Sequence, residues 1–296
     1  MKGPVATVPL SLALLDGDSP VYESVGGTTI PNAGGILRPP GSIVRQGTSY
    51  YLNVGTYAVP VWVIVNGVIP TPRERWAARG RALAGISDNA GGNGPVILFE
   101  DFERTFDPPP GFTRVSAGGG TGVASLTRAS SVRMQSSAAA GARIQYHGAA
   151  LPVLSINPFS GKWYCAFRFQ LGASTFNATS VIGAGFRSLA GATTVMGGVL
   201  GFGSTANFGF QCNGNEAGTF IDSGLAVDLN VHVMELYHTG DGNLRARLDL
   251  GNELSASLGG VPPGAYALLD VFSGGAAVNH DVDFDWYLFV GDRPNT

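Results

Sequence analysis

The stretch from Val231 to Leu250, VHVMELYHTGDGNLRARLDL, constrains the fold more than any other part of the chain. Its second arm, Leu244 to Leu250, alternates apolar residues with arginine and aspartate, as a strand with one buried and one solvent-facing side does. The first arm, Val231 to Tyr237, is apolar on both faces apart from Glu235, which predicts a more interior strand. The glycines between the arms supply the positive φ values that a tight reversal needs. The stretch therefore predicts a β-hairpin, and no catalytic signature accompanies it.

Composition limits the classes of protein to which the chain can belong. Hydrophobic residues make up 44% and charged residues 13% of the 296 residues, which is enough apolar material for a sizeable core. The 44 glycines and 18 prolines are spread along the chain, as in proteins of many short strands joined by tight turns. The net charge of −3 gives no basic face for nucleic acid, and no apolar run approaches the roughly 20 residues of a membrane-spanning helix.

The cysteine and histidine positions argue against redox and metal chemistry. Cys165 and Cys212 are the two cysteines, and we expect them to be reduced thiols in the core, although one bridge between them is the alternative. The four histidines share no spacing typical of a metal site, and we interpret each as a polar strand or turn residue. The sequence therefore predicts no cofactor.

The first 95 residues divide into a β-region and a connector. Residues 1–70 contain short β-runs such as Val59 to Val65, separated by Gly, Pro, Asn and Thr. A helix is predicted from Arg73 to Ala84, with Thr71 as its cap, Pro72 in its first turn and Gly85 as its stop. We interpret it as a solvated connector within residues 71–95. The alternative is that its arginines dock on an acidic partner surface, and they are Arg73, Arg75, Arg79 and Arg81.

From residue 96 to residue 296 the sequence predicts only strands. Eleven or twelve short β-runs follow one another without a helix between them, which favours an antiparallel β-sandwich. The fold class predicted for the chain is all-β, with a small N-terminal β-region, one connector helix and a C-terminal jelly-roll sandwich.

One cluster of acidic residues could carry chemistry. Asp281, Asp283 and Asp285 alternate with Val282, Phe284 and Trp286 on the last predicted strand, so the three carboxylates share one face. Three interpretations stay open: a solvated acidic face on an edge strand, a calcium site, and a carboxylate set for glycoside hydrolysis. We take the solvated face as the expectation and assign no catalytic residue.

The stretch from Gly41 to Val65, GSIVRQGTSYYLNVGTYAVPVWVIV, resembles a short module of tailed-phage structural proteins. In that module a Gly-Ser start leads to a strand with Tyr and Asn, then Gly-Thr, then a Pro-x-Trp strand. The resemblance implies a position at the virion-proximal end of a fibre, spike or capsid-surface protein. The residues that it marks for virion anchoring are Tyr51, Asn53, Pro60 and Trp62.

The region from Val96 to Arg293 resembles the concanavalin/laminin-G-like jelly roll. Phe99 to Phe102, the hairpin from His232 to Leu250 and the last strand from Phe284 to Val290 carry this resemblance. Glycosidases of this fold have a Glu-x-Asp-x-Glu motif on a middle strand, which this chain lacks. The resemblance therefore implies the fold and argues against an enzyme.

Together the two resemblances imply a non-enzymatic structural protein of a tailed-phage virion, assembled in the host cytoplasm. We expect a trimeric capsid decoration or head-fibre protein whose partner is the major capsid protein or another virion protein. The alternatives are a tail-fibre adhesin that binds a host glycan, a glycan hydrolase that uses Asp281, Asp283 or Asp285, and an independent secreted lectin.

Overall fold

Strands dominate the chain, as its short β-branched and aromatic runs predict. The computed structural model describes residues 21–23, 43–46, 49–53, 61–65, 72–86, 95–102, 108–109, 111–117, 123–128, 131–148, 161–172, 176, 180–188, 194–200, 207–214, 219–257, 265–274 and 280–292. By their contacts the residues group into two units, Met1–Leu83 and Ala84–Thr296. The boundary between the units lies inside the predicted connector, residues 71–95.

The first unit contains a four-stranded sheet in the order β1-β2-β3-β4. Strand β1 pairs with β2 in parallel, whereas β2 with β3 and β3 with β4 pair antiparallel. The strands are β1 Val21–Glu23, β2 Ile43–Gln46, β3 Ser49–Asn53 and β4 Trp62–Val65. Tyr51 and Trp62 form the buried apolar cluster of this sheet.

One helix is present in the described residues, at the predicted place. Helix α1 runs from Pro72 to Ala84, with Glu74 in its first turn. Gly85 follows at φ 68, the left-handed conformation that ends helices and that glycine adopts without steric cost. No helix of the described residues is long and apolar enough to cross a membrane.

The second unit is an antiparallel sandwich of two sheets, which confirms the predicted fold class. The eight-stranded sheet has the order β17-β16-β15-β10-β19-β8-β7, with β5 paired to β19, and the seven-stranded sheet has the order β14-β13-β12-β11-β18-β9-β6. The strands are β5 Val96–Glu100, β6 Phe112–Ala117, β7 Val123–Arg128, β8 Ser131–Gln135, β9 Arg143–Gly148, β10 Lys162–Leu171, β11 Val181–Ser188, β12 Thr194–Leu200, β13 Asn207–Gly214, β14 Thr219–Ala226, β15 Val231–Thr239, β16 Asn243–Leu248, β17 Leu254–Ser257, β18 Ala265–Phe272 and β19 Asp281–Gly291.

The core lies between the two sheets and is rich in aromatic rings. Phe167 and Phe169 on β10 pack with Phe284 on β19, and Phe169 meets Phe208 of the opposite sheet edge to face, with 6.0 Å between ring centroids. Because each buried aromatic removes a large apolar area from water, this cluster is the main source of stability in the unit.

The predicted hairpin is present as β15 and β16. Strand β15 lies between β10 and β16, which confirms the interior position predicted for it. The turn glycines Gly240 and Gly242 have φ values of 85 and 80. The prediction was wrong at Leu250, because β16 ends at Leu248 and Asp249 and Leu250 both have positive φ. Leu250 therefore belongs to a turn, and its side chain is partly exposed.

Candidate functional site

The acidic strand β19 is not an edge strand, so the expectation of a solvated edge was wrong. It is paired with β10 on one side and with β8 and β5 on the other. Asp283 accepts two hydrogen bonds from Arg133 of β8, at 2.8 and 2.7 Å. A β-bulge in β19 opposite Arg168 and Phe169 of β10 leaves Asp285 without a register partner on β10. Asp285 forms an ion pair with Arg168. Arginines of the two flanking strands thus neutralise two of the three carboxylates.

Asp281 stands apart from these two ion pairs. Burial raises the pKa of its carboxyl, against the opposing charge of Arg133. A methyl group at Gly172 would lie only 1.9 Å from Asp281 Oδ1, so the absence of a side chain at Gly172 makes room for this carboxylate. No group of three Asp, Glu, His or Cys side chains in the described part of the chain could hold a metal ion. Ion pairs with arginine account for Asp283 and Asp285, two of the three carboxylates of the acidic face.

The predicted virion-anchoring residues lie inside the first unit where they are described. Tyr51 and Trp62 are 9% and 8% exposed, and Asn53 is fully buried. Asn53 Oδ1 accepts a hydrogen bond of 2.9 Å from the backbone nitrogen of Val61. Pro60 lies outside the described residues. These buried side chains stabilise the four-stranded sheet. Their role in virion anchoring stays a prediction, and any such role would be indirect, through the fold of the sheet.

The arginines of α1 differ in exposure. Arg73 is exposed and Arg81 is half-buried, whereas Arg75 and Arg79 are 8% and 2% exposed. The helix is therefore not the evenly solvated connector that its charges indicated. Docking of a partner on this helix stays a prediction. Of the four arginines, Arg73 is the one in the exposed class.

The cysteines are free and buried, as predicted. Cys165 lies on β10 and Cys212 on β13, in opposite sheets. Burial raises the pKa of the Cys165 thiol to about 12 and that of Cys212 to about 11, so both stay protonated and unreactive at neutral pH.

Three of the four histidines are more buried than their interpretation as strand or turn residues implied. They are His232, His238 and His280. His232 Nδ1 lies 2.7 Å from Asp249 Oδ2, and its Nε2 lies 2.8 Å from Asp228 Oδ1. Burial works against the charged imidazole, but Asp249 and Asp228 outweigh it and raise the pKa of His232. The ring thereby ties Asp249 at the end of β16 to Asp228 in the connection before β15.

A second cluster, which the sequence analysis did not identify, lies on the outer face of the seven-stranded sheet. Inward-facing residues of β9 and β18 belong to the core, so the alternate residues face away from the eight-stranded sheet. We call this surface the polar-aromatic face, and it consists of Arg143, Gln145, His147, Tyr266, Leu268, Asp270 and Phe272.

Asp270 is the centre of the polar-aromatic face. It stands directly opposite Gln145 in the β9–β18 register. Arg143 Nε donates to Asp270 Oδ1 at 2.8 Å, a second nitrogen of Arg143 donates to Oδ2, and Gln145 Nε2 donates to Oδ2 at 2.9 Å. Asp270 is fully buried, and these charge-assisted hydrogen bonds compensate its carboxylate for the loss of water.

The hydrogen bonds also fix the tautomer of His147. Gln145 uses its amide nitrogen on Asp270, so its oxygen, 3.0 Å from His147 Nε2, accepts the proton of that ring nitrogen. Burial and then the nearby Arg187 lower the pKa of His147, which keeps the ring neutral at neutral pH. His147 Nδ1 is then a hydrogen-bond acceptor.

Aromatic rings lie beside this network. The rings of His147 and Tyr266 pack with centroids 4.6 Å apart and planes at 33°. Arg143 Cζ lies 5.1 Å from the centroid of Phe272, a cation–π contact. His147, Tyr266 and Phe272 are each half-buried, so part of each ring remains open on the polar-aromatic face.

A row of glycines continues this face across the sheet. Asp270, Gly183, Gly198, Gly209 and Asp222 are successive partners on β18, β11, β12, β13 and β14. Gly198 has φ +134, and a methyl group there would lie 2.3 Å from the carbonyl oxygen of Ile182. The glycines permit the strands to approach closely, and they make room for the side chains of Phe220 beside Gly209 and of Met196 beside Gly183.

The sequence contained one signal for this site. Glycines that interrupt predicted strands, as Gly183, Gly198 and Gly209 do, mark places where a backbone or a ligand approaches closely. Nothing in the sequence showed that Arg143 and Asp270, 127 positions apart, would meet. Their pairing follows from strand order, which local patterns do not specify.

No protein-family model matches the chain, and no curated protein matches its sequence. Among solved structures it is similar to a protein of unknown function from Shewanella oneidensis MR-1, at 12% identity and a TM-score of 0.47, over 78% of this chain and 100% of that one. It is similar to peanut lectin with a 9mer peptide, at 9% identity and a TM-score of 0.48, over 68% and 100%. It is also similar to the CBM2 module of the evolved Dit of Lactobacillus casei BL23 phage J-1, at 13% identity and a TM-score of 0.46, over 68% and 99%.

Proposed function

We propose that the second unit is a glycan-binding module without catalytic activity, and that the polar-aromatic face is its binding surface. The observation that carries the proposal is the combination, on one sheet face, of half-open aromatic rings with a rigid network of hydrogen-bonding groups. A saccharide presents both a ring face of C–H groups, which packs on aromatic rings, and a rim of hydroxyls. Binding sites of this kind use apolar contact for affinity and a few fixed polar groups for specificity.

Each group of the face has a role in this proposal. The Tyr266 ring, packed on His147, supplies the flat apolar surface for a pyranose ring. His147 Nδ1 accepts a hydrogen bond from a sugar hydroxyl. Arg143 and Gln145 are held in place by Asp270, so little side-chain entropy is lost when a ligand binds.

Replacing Tyr266 with alanine is expected to weaken saccharide binding about tenfold or more, because it removes the stacking surface. Tyr266→Phe keeps the ring and is expected to retain most of the affinity. The measurement is a glycan array probed with the purified protein, followed by titration of the best saccharide with each variant. Ser255→Ala is a matched control, since Ser255 is exposed on the edge strand of the other sheet.

The array result decides the proposal. Binding of a defined saccharide that is lost in Tyr266→Ala and kept in both Tyr266→Phe and Ser255→Ala supports it. An array without binding contradicts it, and so does binding that Tyr266→Ala leaves unchanged.

We propose further that the chain acts on the particle of a tailed phage. This rests on the resemblance of Gly41 to Val65 to a phage structural module. Between the two positions considered, head decoration and receptor binding on the tail, a glycan-binding face favours receptor binding. A trimer on the capsid, bound to the major capsid protein, is the second candidate. Immunogold labelling of purified particles distinguishes the positions, and particles without label contradict both.

A further inference from the structure

A cavity of about 290 Å³ lies between the two sheets of the sandwich, at the side where β13 and β14 face β15, β16 and β17. Its walls include core positions from both sheets. Phe210 is fully buried, and Met234, Ala246 and Leu248 are 2%, 1% and 7% exposed. Close-packed interiors have few voids larger than a water molecule, so a space of this size is a structural feature of the unit.

Two polar side chains of the wall have partners, although the buried Arg247 Nε has none among the described residues. Ser223 Oγ donates to the carbonyl oxygen of Phe208 at 2.6 Å and accepts a hydrogen bond from the nitrogen of Leu225 at 3.1 Å. Arg247 donates to Glu253 at 2.8 Å, and its guanidinium lies over the ring of Tyr237. Most of the wall is apolar, from residues such as Phe210, Met234 and Leu248, so a sugar would bury more hydroxyls than the wall can pair. Burying them is costly, and the wall favours an apolar ligand.

The apolar surface continues out of the cavity. Leu225, part of the wall, is 51% exposed, and Leu229 in the connection after β14 is 49% exposed. These two are the large hydrophobic residues with the greatest exposure among the described residues of the second unit. A ligand that fills the cavity and extends over Leu225 removes the apolar area of that side chain from water.

We propose that this cavity binds a linear hydrocarbon chain whose polar end lies at the mouth, near the exposed Asn252. At about 30 Å³ for each water-sized group, the volume accommodates roughly ten carbon atoms. The continuation over the exposed Leu225 favours an extended chain over a compact ring. The cavity shares no residue with the polar-aromatic face, so this binding is independent of the proposed saccharide binding.

The Met234 side chain provides a direct reporter. The chain has four methionines, at positions 1, 134, 196 and 234, and of these Met234 lines the cavity. Methyl NMR of the full chain is recorded while decanol is added below its solubility limit. The Met234 methyl resonance is expected to shift in a saturable manner while those of Met134 and Met196 stay in place. A Met234 resonance that does not respond overturns the proposal.

Two variants connect the response to the cavity. Ala246→Leu fills the space and is expected to weaken decanol binding about tenfold or more. Leu225→Asp, at the exposed mouth where folding is not at risk, is expected to weaken it as well. Ser255→Leu adds the same side chain on a strand face outside the cavity and should leave binding unchanged. If neither Ala246→Leu nor Leu225→Asp reduces the response, the chain binds elsewhere and the proposal fails.

The hydrocarbon could come from a free fatty acid or from an amphiphile with a neutral head. Decanoate and decyl maltoside, each below its micelle concentration, distinguish these sources, with maltose as the control for the head group. Arg247 lines the cavity and is paired with Glu253, so charge favours neither head group and both compounds are expected to shift the Met234 resonance. If both compounds leave Met234 unaffected, the cavity has no affinity for hydrocarbon chains.

Discussion

Asp270→Ala is expected to lower the free energy of unfolding of the sandwich by about 3 to 5 kcal/mol, because it breaks a buried ion pair and leaves a charge behind. Asp270 is fully buried, and the side chain of Arg143 is 16% exposed. Without the carboxylate, the guanidinium of Arg143 and the amide of Gln145 both lose their hydrogen bonds to Asp270. The measurement is urea unfolding of the variant beside the parent protein.

Asp241→Ala is the matched control, since it breaks an aspartate–arginine pair at the surface. Asp241 is 41% exposed and paired with Arg245 in the hairpin turn. The hydrogen bond from Arg245 lowers the pKa of Asp241, but solvent screens the pair, and the expected loss is below about 1 kcal/mol. Equal losses in the two variants would contradict the buried, fully bonded arrangement around Asp270.

The second large expected effect is a loss of folding stability at acidic pH that arises from His280. Its ring is fully buried, with Nε2 2.6 Å from Ser180 Oγ and the ring of Phe176 stacked at 5.6 Å. Its Nδ1 has no hydrogen-bond partner among the described residues. Burial lowers the pKa of His280 from 6.5 to about 4, so the folded protein binds a proton there less readily than the unfolded chain.

The stability that the neutral ring contributes is complete above the pKa of the unfolded chain and is lost as the pH falls toward 4. The expected loss over this window is about 3 kcal/mol. His280→Gln cannot titrate, so the difference in unfolding free energy between the parent protein and this variant should shrink by that amount between neutral pH and a pH of about 4. A difference that does not change with pH would contradict the buried neutral ring.

His232→Gln is expected to show the opposite dependence of unfolding free energy on pH. Because Asp249 and Asp228 raise the pKa of His232 despite its burial, its contribution is present below the pKa of the unfolded chain. That contribution is lost as the pH rises through the higher pKa of the folded state. The two histidines therefore predict opposite slopes in the same measurement.

The interior of the fold could be predicted from the sequence, and most of its edges could not. The strands from Ser131 to Gln135 and from Ala265 to Phe272 were predicted at their observed bounds, because turn-forming serine and glycine flank each run of buried apolar side chains. The strands β6, β14 and β17 were not predicted, and each lies at the edge of its sheet. Edge strands such as β14, TFIDSGLA, are half-exposed and keep polar residues and glycine, so no burial pattern identifies them.

The candidate site, too, could be predicted only in part from the sequence. Alternation correctly placed Asp281 and Asp283 on one face, but it could not show that β19 is central or that Arg133 lies opposite Asp283. The polar-aromatic face combines β9, β18 and β11, which are far apart in sequence. Such a surface can be recognised only once the strand order is known, and local sequence patterns do not determine that order.

The most direct test of saccharide binding at the polar-aromatic face uses the four histidines as reporters. One of them, His147, lies on that face, whereas His232 and His238 lie on β15 and His280 precedes β19. Ring-proton NMR of the histidines is recorded while the best saccharide from the array is added. We predict that the His147 resonance moves in a saturable manner and that those of the other three stay in place. A saccharide that binds but leaves His147 unmoved, or that shifts His232, His238 or His280 instead, would contradict the assignment of this face.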